Sequence, residues 1–130
     1  MAQKLLPQTI LLVDDDSQIR RLGRELLEHL GFRVATAADG PQALEVFHRL
    51  GKVDLVILDY HLPGMSGHLL LQKLKGLDAG VRVLMASGFL SIREATRLRE
   101  SGAQGIICKP FRLMELKPLL QDVMGNVCGD

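Results

Sequence analysis

Short, almost unbroken runs of apolar residues alternate along the chain with segments in which apolar residues recur every three or four positions. The runs are rich in Val, Ile and Leu, which is typical of strands that are covered on both faces of a parallel sheet. The segments predicted as strands are 9–13, 32–37, 53–58, 81–86 and 105–108. Segment 32–37 is the least apolar of them, so we expect it to lie nearer an edge of the sheet.

Helical periodicity marks the segments between these runs, because residues three and four positions apart lie on one face of a helix. The first helix is expected to end at Gly31, and the second to begin at Gly40 and Pro41, where proline needs no amide donor. The third follows Gly67. The residues expected to face the core are Ile19, Leu22, Leu26, Leu27 and Leu30 in the first helix, Leu44, Phe47 and Leu50 in the second, and Leu70, Leu71 and Leu74 in the third.

The last two helices are less regular. Ser91 and Glu94 have capping-box spacing ahead of the fourth helix, whose thin apolar face predicts a mobile element. Pro118 lies within the fifth helix and lacks an amide donor, so we expect a kink or a late start there. The apolar positions are Ile92, Ala95 and Leu98 in the fourth helix, and Leu113, Leu116, Leu120 and Val123 in the fifth.

Strict alternation of strands and helices predicts the fold class. Right-handed crossovers between parallel strands produce a three-layer α/β sandwich, with helices on both faces of the sheet. We expect five parallel strands in the flavodoxin-like order 2-1-3-4-5. The 130 residues suffice for one domain, predicted to span 1–130 with its core at 9–124 and short tails at both ends.

Composition narrows the classes of function. The chain has 16 Lys and Arg against 15 Asp and Glu, so charge gives no general reason to expect contact with nucleic acid or membrane. Only residues 125–130 are predicted to follow the fifth helix, so we expect no DNA-binding element in this chain. Cys108 and Cys128 form neither a disulfide framework nor a zinc motif, which favours a cytoplasmic location. No apolar stretch reaches transmembrane length.

Polar residues stand at the carboxyl ends of four predicted strands, which is the edge of an open parallel sheet where ligands bind. These residues are Asp14, Asp15 and Asp16 after the first strand, Asp59 after the third, Ser87 after the fourth and Lys109 after the fifth. Taken singly, each is more often a helix cap, a turn residue or a solvated lysine. Together they predict a functional site, with Asp16 or Ser17 also capping the first helix.

Carboxylates held side by side repel one another unless a cation offsets their charge. Hard oxygen ligands in an open site favour Mg²⁺. Asp59 is then a candidate nucleophile for a phosphoryl group, because Mg²⁺ and a fixed cation would neutralise the spreading oxygen charge. Lys109 supplies that cation, and Ser87 supplies a hydroxyl donor.

Four segments, LLVDDD, DLVILDYHLPGMSG, VLMASGF and GIICKPF, resemble in order and spacing the motifs of CheY-like receiver domains in two-component systems. These domains occur in response regulators and hybrid sensor histidine kinases. The resemblance implies that Asp59 is the phosphoacceptor and that Asp15 and Asp59 bind Mg²⁺ directly. It also implies that His61 offers its backbone carbonyl to Mg²⁺, that Asp14 acts mainly through water, and that Ser87 and Lys109 contact the phosphoryl oxygens.

The resemblance implies partners as well. The phosphoryl donor would be a phosphohistidine on a sensor histidine kinase or a histidine phosphotransfer domain, and Ser87 would move inward after Asp59 is phosphorylated. The domain would then signal to a protein target, and would be no enzyme beyond its own phosphoryl transfer and slow autodephosphorylation. The SGF and KPF segments resemble the receivers of hybrid kinases.

Three positions depart from the family pattern. Ile106 replaces a frequent aromatic residue, so output through an aromatic switch is not expected. In this family, the positions of His61 and Phe89 border the path of attacking water, and we hypothesise that Phe89 shields the acyl phosphate. The His61 side chain either positions that water or faces solvent, the commoner case. The other histidines, His29, His48 and His68, are expected at the surface.

Two other functions remain open. A phosphatase of the haloacid dehalogenase type combines similar groups, but its nucleophile follows the first strand, and Asp14, Asp16 and Gln18 fit its motif poorly. A docking module that keeps the fold without being phosphorylated is the second alternative. The complete set of acidic residues with Ser87 and Lys109 argues against it.

Overall fold

The computed structural model describes residues 7–110 and 112–124. Residues 1–6, 111 and 125–130 lie outside the described residues. They include most of both predicted tails, Phe111 of the KPF segment and Cys128. The strands are β1 (Thr9–Val13), β2 (Arg33–Ala37), β3 (Leu55–Asp59), β4 (Val83–Ser87) and β5 (Gly105–Cys108). The helices are α1 (Ser17–His29), α2 (Gly40–Leu50), α3 (Gly67–Leu77), α4 (Ile92–Glu100) and α5 (Leu113–Met124).

The five strands form one sheet in the order β2-β1-β3-β4-β5, and every neighbouring pair is parallel. This confirms the predicted order and the edge position of β2. The strand order reverses between β1 and β3, so the loops after these two strands diverge and leave a crevice at the carboxyl edge.

Two buried clusters cover the two faces of the sheet. Leu11 and Val13 of β1 pack with residues of α2, α3 and α4, while Ile10 and Leu12 pack with residues of α1 and α5. Successive side chains of a strand point to opposite faces, which is why adjacent residues of β1 join different clusters. The predicted three-layer sandwich is confirmed.

Some strand bounds differ from the prediction. β3 and β4 begin two residues later and end one residue later than expected, so Asp59 and Ser87 are the last residues of their strands. Val53 and Val81 are buried but precede the strands. Because both are apolar, the sequence pattern placed the starts of the two strands too early. Phe32 is also buried before β2, where its N–H donates to the Leu27 carbonyl at the end of α1.

Several residues predicted to face the core do not. Leu22, Leu50 and Leu113 are exposed, and Ile92 is 87% exposed. A helix contacts the sheet through a narrow strip, so residues beside that strip or at a helix end extend past the sheet. The prediction also missed buried positions, among them Gly23 in α1, Ala43 and Val46 in α2, and Met124 in α5.

The helix ends largely follow the sequence signals. Gly31 has φ 98° and donates its N–H to the Glu28 carbonyl, ending α1 as predicted. The capping box of Ser91 and Glu94 is present in α4, where only Leu98 is buried. Helix α5 begins at Leu113 and runs through Pro118, so the expected late start is wrong. None of the described helices is long and apolar enough to cross a membrane.

Candidate functional site at the carboxyl edge of the sheet

The carboxyl ends of four strands bring the predicted site residues together. Asp14 and Asp59 are only 1% and 3% exposed, and Ser87 is buried too. Asp15 is exposed beside them. One carboxylate oxygen from each of Asp14, Asp15 and Asp59 lies within 4.8 Å of the other two. The loop after β1 and the end of β3 therefore share a single acidic cluster.

The third aspartate of the triplet has a different task. Asp16 caps α1, because its Oδ1 accepts hydrogen bonds from the N–H groups of Gln18 at 2.8 Å and Ile19 at 3.4 Å. Asp14 Oδ1 in turn accepts the N–H of Asp16 at 2.9 Å. This chain of contacts orients Asp14 and confirms that Asp16 is a cap of the first helix.

Lys109 lies between the two buried carboxylates. Its Nζ is 2.8 Å from Asp14 Oδ2 and 3.2 Å from Asp59 Oδ2. The contact with Asp14 is the shorter of the two and pairs the ammonium group with a fully buried carboxylate oxygen. One lysine faces three carboxylates, which leaves the cluster with an excess of negative charge.

The pKa values reflect this imbalance. Burial raises the pKa of the Asp59 carboxyl and Asp14 raises it further, whereas the His61 N–H and Lys109 act in the opposite direction. Burial acts to lower the pKa of Lys109, but Asp14 and Asp59 outweigh it, and the net pKa is raised. Lys109 is therefore held in its charged form, while Asp59 ionises at a cost that another cation would reduce.

The donor set fits Mg²⁺. This ion binds oxygen ligands at about 2.1 Å in an octahedron, so two ligand oxygens lie about 3–4 Å apart. The separation of up to 4.8 Å in the cluster is close to that range. Lys109 Nζ is shared between Asp14 and Asp59, so a second cation would further reduce the repulsion among the three carboxylates.

Ser87 and His61 occupy the neighbouring positions. Ser87 Oγ donates to the Phe89 carbonyl at 2.9 Å and accepts the Phe89 N–H at 3.2 Å, so its hydroxyl is engaged within its own loop. The His61 N–H donates to Asp59 Oδ1 at 3.1 Å, and the side chain of His61 is exposed. The backbone amide thus orients the Asp59 carboxylate while the imidazole faces solvent.

Comparison with known proteins identifies the family. Residues 10–121 match the response regulator receiver domain. The chain belongs to this family. It is 33% identical over 123 residues to the chemotaxis protein CheY of Pseudomonas aeruginosa, with 92% of this chain and 98% of that protein covered. It is 33% identical over 113 residues to sporulation initiation phosphotransferase F of Bacillus subtilis, covering 87% and 90%.

Solved structures agree with the sequence relatives. The receiver domain superposes on the chemotaxis protein CheY4 of Vibrio cholerae with a TM-score of 0.86 at 29% identity, over 91% of this chain and 99% of that one. It superposes equally well, with a TM-score of 0.86 at 27% identity, on CheY in a CheX–CheY–BeF3–Mg²⁺ complex of Borrelia burgdorferi, covering 91% and 90%. These likenesses confirm the CheY-like fold and a phosphoacceptor receiver function in two-component signalling.

The family also occurs inside longer proteins. The receiver domain is 32% identical over 117 residues to the sensor kinase CckA of Brucella abortus, covering 89% of this chain but only 12% of the kinase. It spans less than half the length of several relatives described as probable transcriptional regulators. The matched region thus makes up nearly the whole of some relatives and only a part of others.

Two contacts of this receiver domain escaped the sequence reading. Tyr60, directly after Asp59, donates its hydroxyl to Glu94 Oε2 at 3.3 Å. Arg20 donates from its guanidinium to the Asp14 carbonyl at 2.7 Å. Tyr60 lies in the DLVILDYHLPGMSG segment, which assigned it no role, and Arg20 lies in none of the four segments. Only their positions in the sequence could have pointed to these contacts, since Tyr60 follows Asp59 and Arg20 lies in the first turn of α1.

Other side chains differ from the sequence expectation. Phe89 is 81% exposed, so it covers nothing in this arrangement, and the shielding hypothesis requires its loop to move. His29 and His48 are exposed as predicted. His68 is half-buried instead, because its Nε2 lies 2.7 Å from Ser101 Oγ at the end of α4.

Proposed function

We propose that Asp59 is the phosphoacceptor of this receiver domain and takes its phosphoryl group from a phosphohistidine. The observation that carries this proposal is the environment of its carboxylate at the end of β3. Oδ1 accepts the His61 N–H, Oδ2 contacts Lys109 Nζ, and two further carboxylates stand alongside. Asp59 is thus a buried, oriented nucleophile at the crevice where the strand order reverses.

The transfer needs no third reactant. A carboxylate oxygen of Asp59 forms a bond to phosphorus while the phosphorus–nitrogen bond of the phosphohistidine breaks, and the imidazole leaves with the electron pair. Lys109 already lies beside Oδ2 and is able to contact a phosphoryl oxygen there. Its fixed charge favours the transition state, since negative charge spreads over the phosphoryl oxygens.

The metal in this proposal is Mg²⁺. Asp15 and Asp59 would bind it directly, His61 would bind through its backbone carbonyl, and Asp14 would bind mainly through water. When bound, Mg²⁺ supplies charge neutralisation for the phosphoryl oxygens. The acidic cluster supports this assignment, and so does the Borrelia relative, whose complex carries BeF3 and Mg²⁺.

Ser87 completes the set of groups in the proposal. Its hydroxyl would give up the hydrogen bond to the Phe89 carbonyl and donate to a phosphoryl oxygen instead. The new hydrogen bond would be the stronger one, because its acceptor is charged. That exchange would move the loop between β4 and α4. It would thereby convert phosphorylation of Asp59 into a change of surface that a protein target reads.

The donor is proposed to be a sensor histidine kinase or a histidine phosphotransfer domain. Relatives named as a sensor kinase, a phosphotransferase and a chemotaxis protein support a place in such a relay. We propose a cytoplasmic location and one receiver domain over residues 1–130, acting by protein contact without nucleic acid or membrane. Its only chemistry would be its own phosphorylation and slow autodephosphorylation.

Intact-protein mass spectrometry after incubation with acetyl phosphate tests the assignment of Asp59. We expect a phosphoryl adduct that requires Mg²⁺ and that hydroxylamine removes, as it does from acyl phosphates. Asp59→Asn should abolish the adduct, whereas Asp122→Asn, which changes an exposed carboxylate on α5, should leave it intact. If folded wild-type protein gains no adduct from acetyl phosphate or from a phosphohistidine donor, the docking-module alternative is correct.

A further inference from the structure

Tyr60 links the end of β3 to α4. Its hydroxyl donates to Glu94 Oε2 at 3.3 Å, across 34 positions of sequence. Its ring packs against the buried cluster beneath α2, α3 and α4, and also meets the His61 ring edge to face at 4.9 Å. The residue next to Asp59 is therefore held by packing on one side and by α4 on the other.

Glu94 uses both of its carboxylate oxygens. Oε1 accepts the Ser91 N–H at 3.0 Å, while Ser91 Oγ accepts the Glu94 N–H at 3.1 Å, which completes the cap of α4. Oε2 accepts the Tyr60 hydroxyl. One carboxylate thus joins the first turn of α4 to the residue that follows Asp59.

At this end of α4, the other attachment is Leu90, which lies just before the cap and packs against the same buried cluster. Ile92 is almost wholly exposed, and Leu98, at the far end of the helix, is its one buried residue. His68 of α3 contacts Ser101 after the last turn, so it also holds the far end. Among the described contacts, the Tyr60–Glu94 hydrogen bond is the one that ties the side chains of the first turn of α4 to β3.

The segment between Ser87 and α4 is short. Residues 88–91 connect the buried end of β4 to the capped helix, and the Ser87 hydroxyl is bonded to the backbone of Phe89 within it. To donate to a phosphoryl group on Asp59, the Ser87 hydroxyl has to give up its two hydrogen bonds to the Phe89 backbone, which releases this segment. A shift of residues 88–91 pulls on the first turn of α4 and hence on Glu94.

We propose that Tyr60 and Glu94 are positioning residues whose hydrogen bond holds the β4–α4 segment in its unphosphorylated arrangement and so limits how readily Ser87 engages the phosphoryl group. This inference rests on Asp59 being the phosphoacceptor. Loss of the hydrogen bond should lower the cost of the shift without altering the acidic cluster. The phosphorylated arrangement then becomes easier to reach.

The probe is BeF3⁻, which mimics a phosphoryl group on a carboxylate, with its binding at fixed Mg²⁺ followed by ¹⁹F NMR. We expect Tyr60→Phe, which deletes only the hydroxyl, to bind BeF3⁻ about threefold to tenfold more tightly, in keeping with one partly exposed hydrogen bond. Its affinity for Mg²⁺ alone should stay within about twofold of wild type. A change in BeF3⁻ affinity without a change in Mg²⁺ affinity shows that the variant alters the β4–α4 segment and leaves the acidic cluster intact.

A second variant and a control complete the test. Glu94→Gln keeps an acceptor for the Ser91 N–H, but its amide nitrogen replaces the charged oxygen to which Tyr60 donates. Only a neutral hydrogen bond from that nitrogen to the Tyr60 hydroxyl oxygen is then left, so BeF3⁻ should again bind more tightly, by less than in Tyr60→Phe. The double variant should add little to Tyr60→Phe, because both changes act on one interaction. Glu100→Gln alters an exposed carboxylate on the same helix and should leave BeF3⁻ affinity at the wild-type value.

Hydrogen exchange keeps the two hypotheses apart. Amides of residues 88–95 should exchange faster in Tyr60→Phe than in wild type, whether or not the wild type binds BeF3⁻. Failure of the folded wild type to bind BeF3⁻ or gain a phosphoryl group contradicts the role of Asp59, and the exchange rates then decide the role of Tyr60. Unchanged exchange, or wild-type BeF3⁻ affinity in Tyr60→Phe where the wild type does bind it, overturns the proposal.

Discussion

At the scale of single residues, the same side-chain type serves different ends within a few positions. Asp16 caps a helix, Asp14 is buried against Lys109, and Asp15 is exposed at the edge of the cluster. Sequence supplied the candidates, but the division of tasks depends on where the chain turns after β1. Ser87 shows the same limit, because its partner Phe89 was foreseeable only as a neighbour in the loop.

Replacing Lys109 tests its place between the carboxylates. Lys109→Ala leaves Asp14 and Asp59 without their nearest cation, so the free energy of unfolding should fall by about 3 kcal/mol in metal-free protein. Mg²⁺ should bind more tightly than to wild type, since no ammonium group competes for Asp14 Oδ2. Chemical denaturation and Mg²⁺ titration measure the two effects.

The matched control for that experiment is Lys52→Ala. Lys52 is 87% exposed and lies 4.0 Å from Asp54, so its loss should change stability by less than about 0.5 kcal/mol. A stability loss equal to that of Lys109→Ala would show that the interior position of Lys109 is unimportant.

The raised pKa of Asp59 makes a prediction about pH. The folded protein binds a proton on Asp59 more tightly than the unfolded chain does, so ionisation costs stability as pH rises from 3.8 toward the folded pKa. Metal-free Asp59→Asn lacks this cost and should be more stable than wild type at pH 7. The advantage should shrink as pH falls toward 3.8.

Thermal unfolding in EDTA across this pH range provides the measurement. Adding Mg²⁺ should reverse the order of the two proteins at pH 7, because the ion favours the ionised carboxylate of the wild type. An advantage of Asp59→Asn that does not vary with pH would contradict the assignment.

At the scale of elements, the site depends on how α3 meets β3. Gly67 begins α3, and a Cβ there would lie 2.5 Å from the Asp59 carbonyl oxygen and 2.7 Å from Tyr60 Cα. The helix therefore approaches the backbone of Asp59 and Tyr60 more closely than any residue with a Cβ permits. The glycine was visible in sequence as a helix start, whereas its contact with β3 was not.

Two glycine substitutions in α3 distinguish the effect of the close contact with β3 from the effect of helix propensity. Gly67→Ala should cost about 2 kcal/mol and slow phosphorylation of Asp59, because backbone must move to admit the methyl group. Gly76→Ala, in the same helix with nothing within 4 Å of the added Cβ, should stabilise by up to about 1 kcal/mol. Equal effects of the two changes on stability and on phosphorylation would exclude the close approach as the cause.

At the scale of the whole molecule, one edge of the sheet gathers groups from four strands while two cores hold the layers around it. The acidic cluster lies where β1 and β3 diverge. Repulsion among its carboxylates lowers the free energy of unfolding, and the packing of the two cores offsets this loss. A cation that binds only the folded arrangement should therefore stabilise the entire domain.

Thermal unfolding with and without Mg²⁺ tests this linkage. At a Mg²⁺ concentration about 100 times its dissociation constant, binding adds about 2.7 kcal/mol, which corresponds to a rise in Tm of roughly 10 °C for a domain of this size. Asp59→Asn should lose most of the rise, and NaCl at equal ionic strength should not reproduce it. A similar rise in the variant would place the ion elsewhere.

The sequence alone determined the alternation of strands and helices, their parallel order and the set Asp14, Asp59, Ser87 and Lys109, because periodicity is local and strand ends share an edge. Tertiary structure decided which apolar helix residues pack against the sheet, and Leu22 and Ile92 are exposed instead. It also decided that Lys109 contacts two carboxylates and that Tyr60 meets Glu94. Such contacts depend on distances between residues far apart in the chain, which no local pattern encodes.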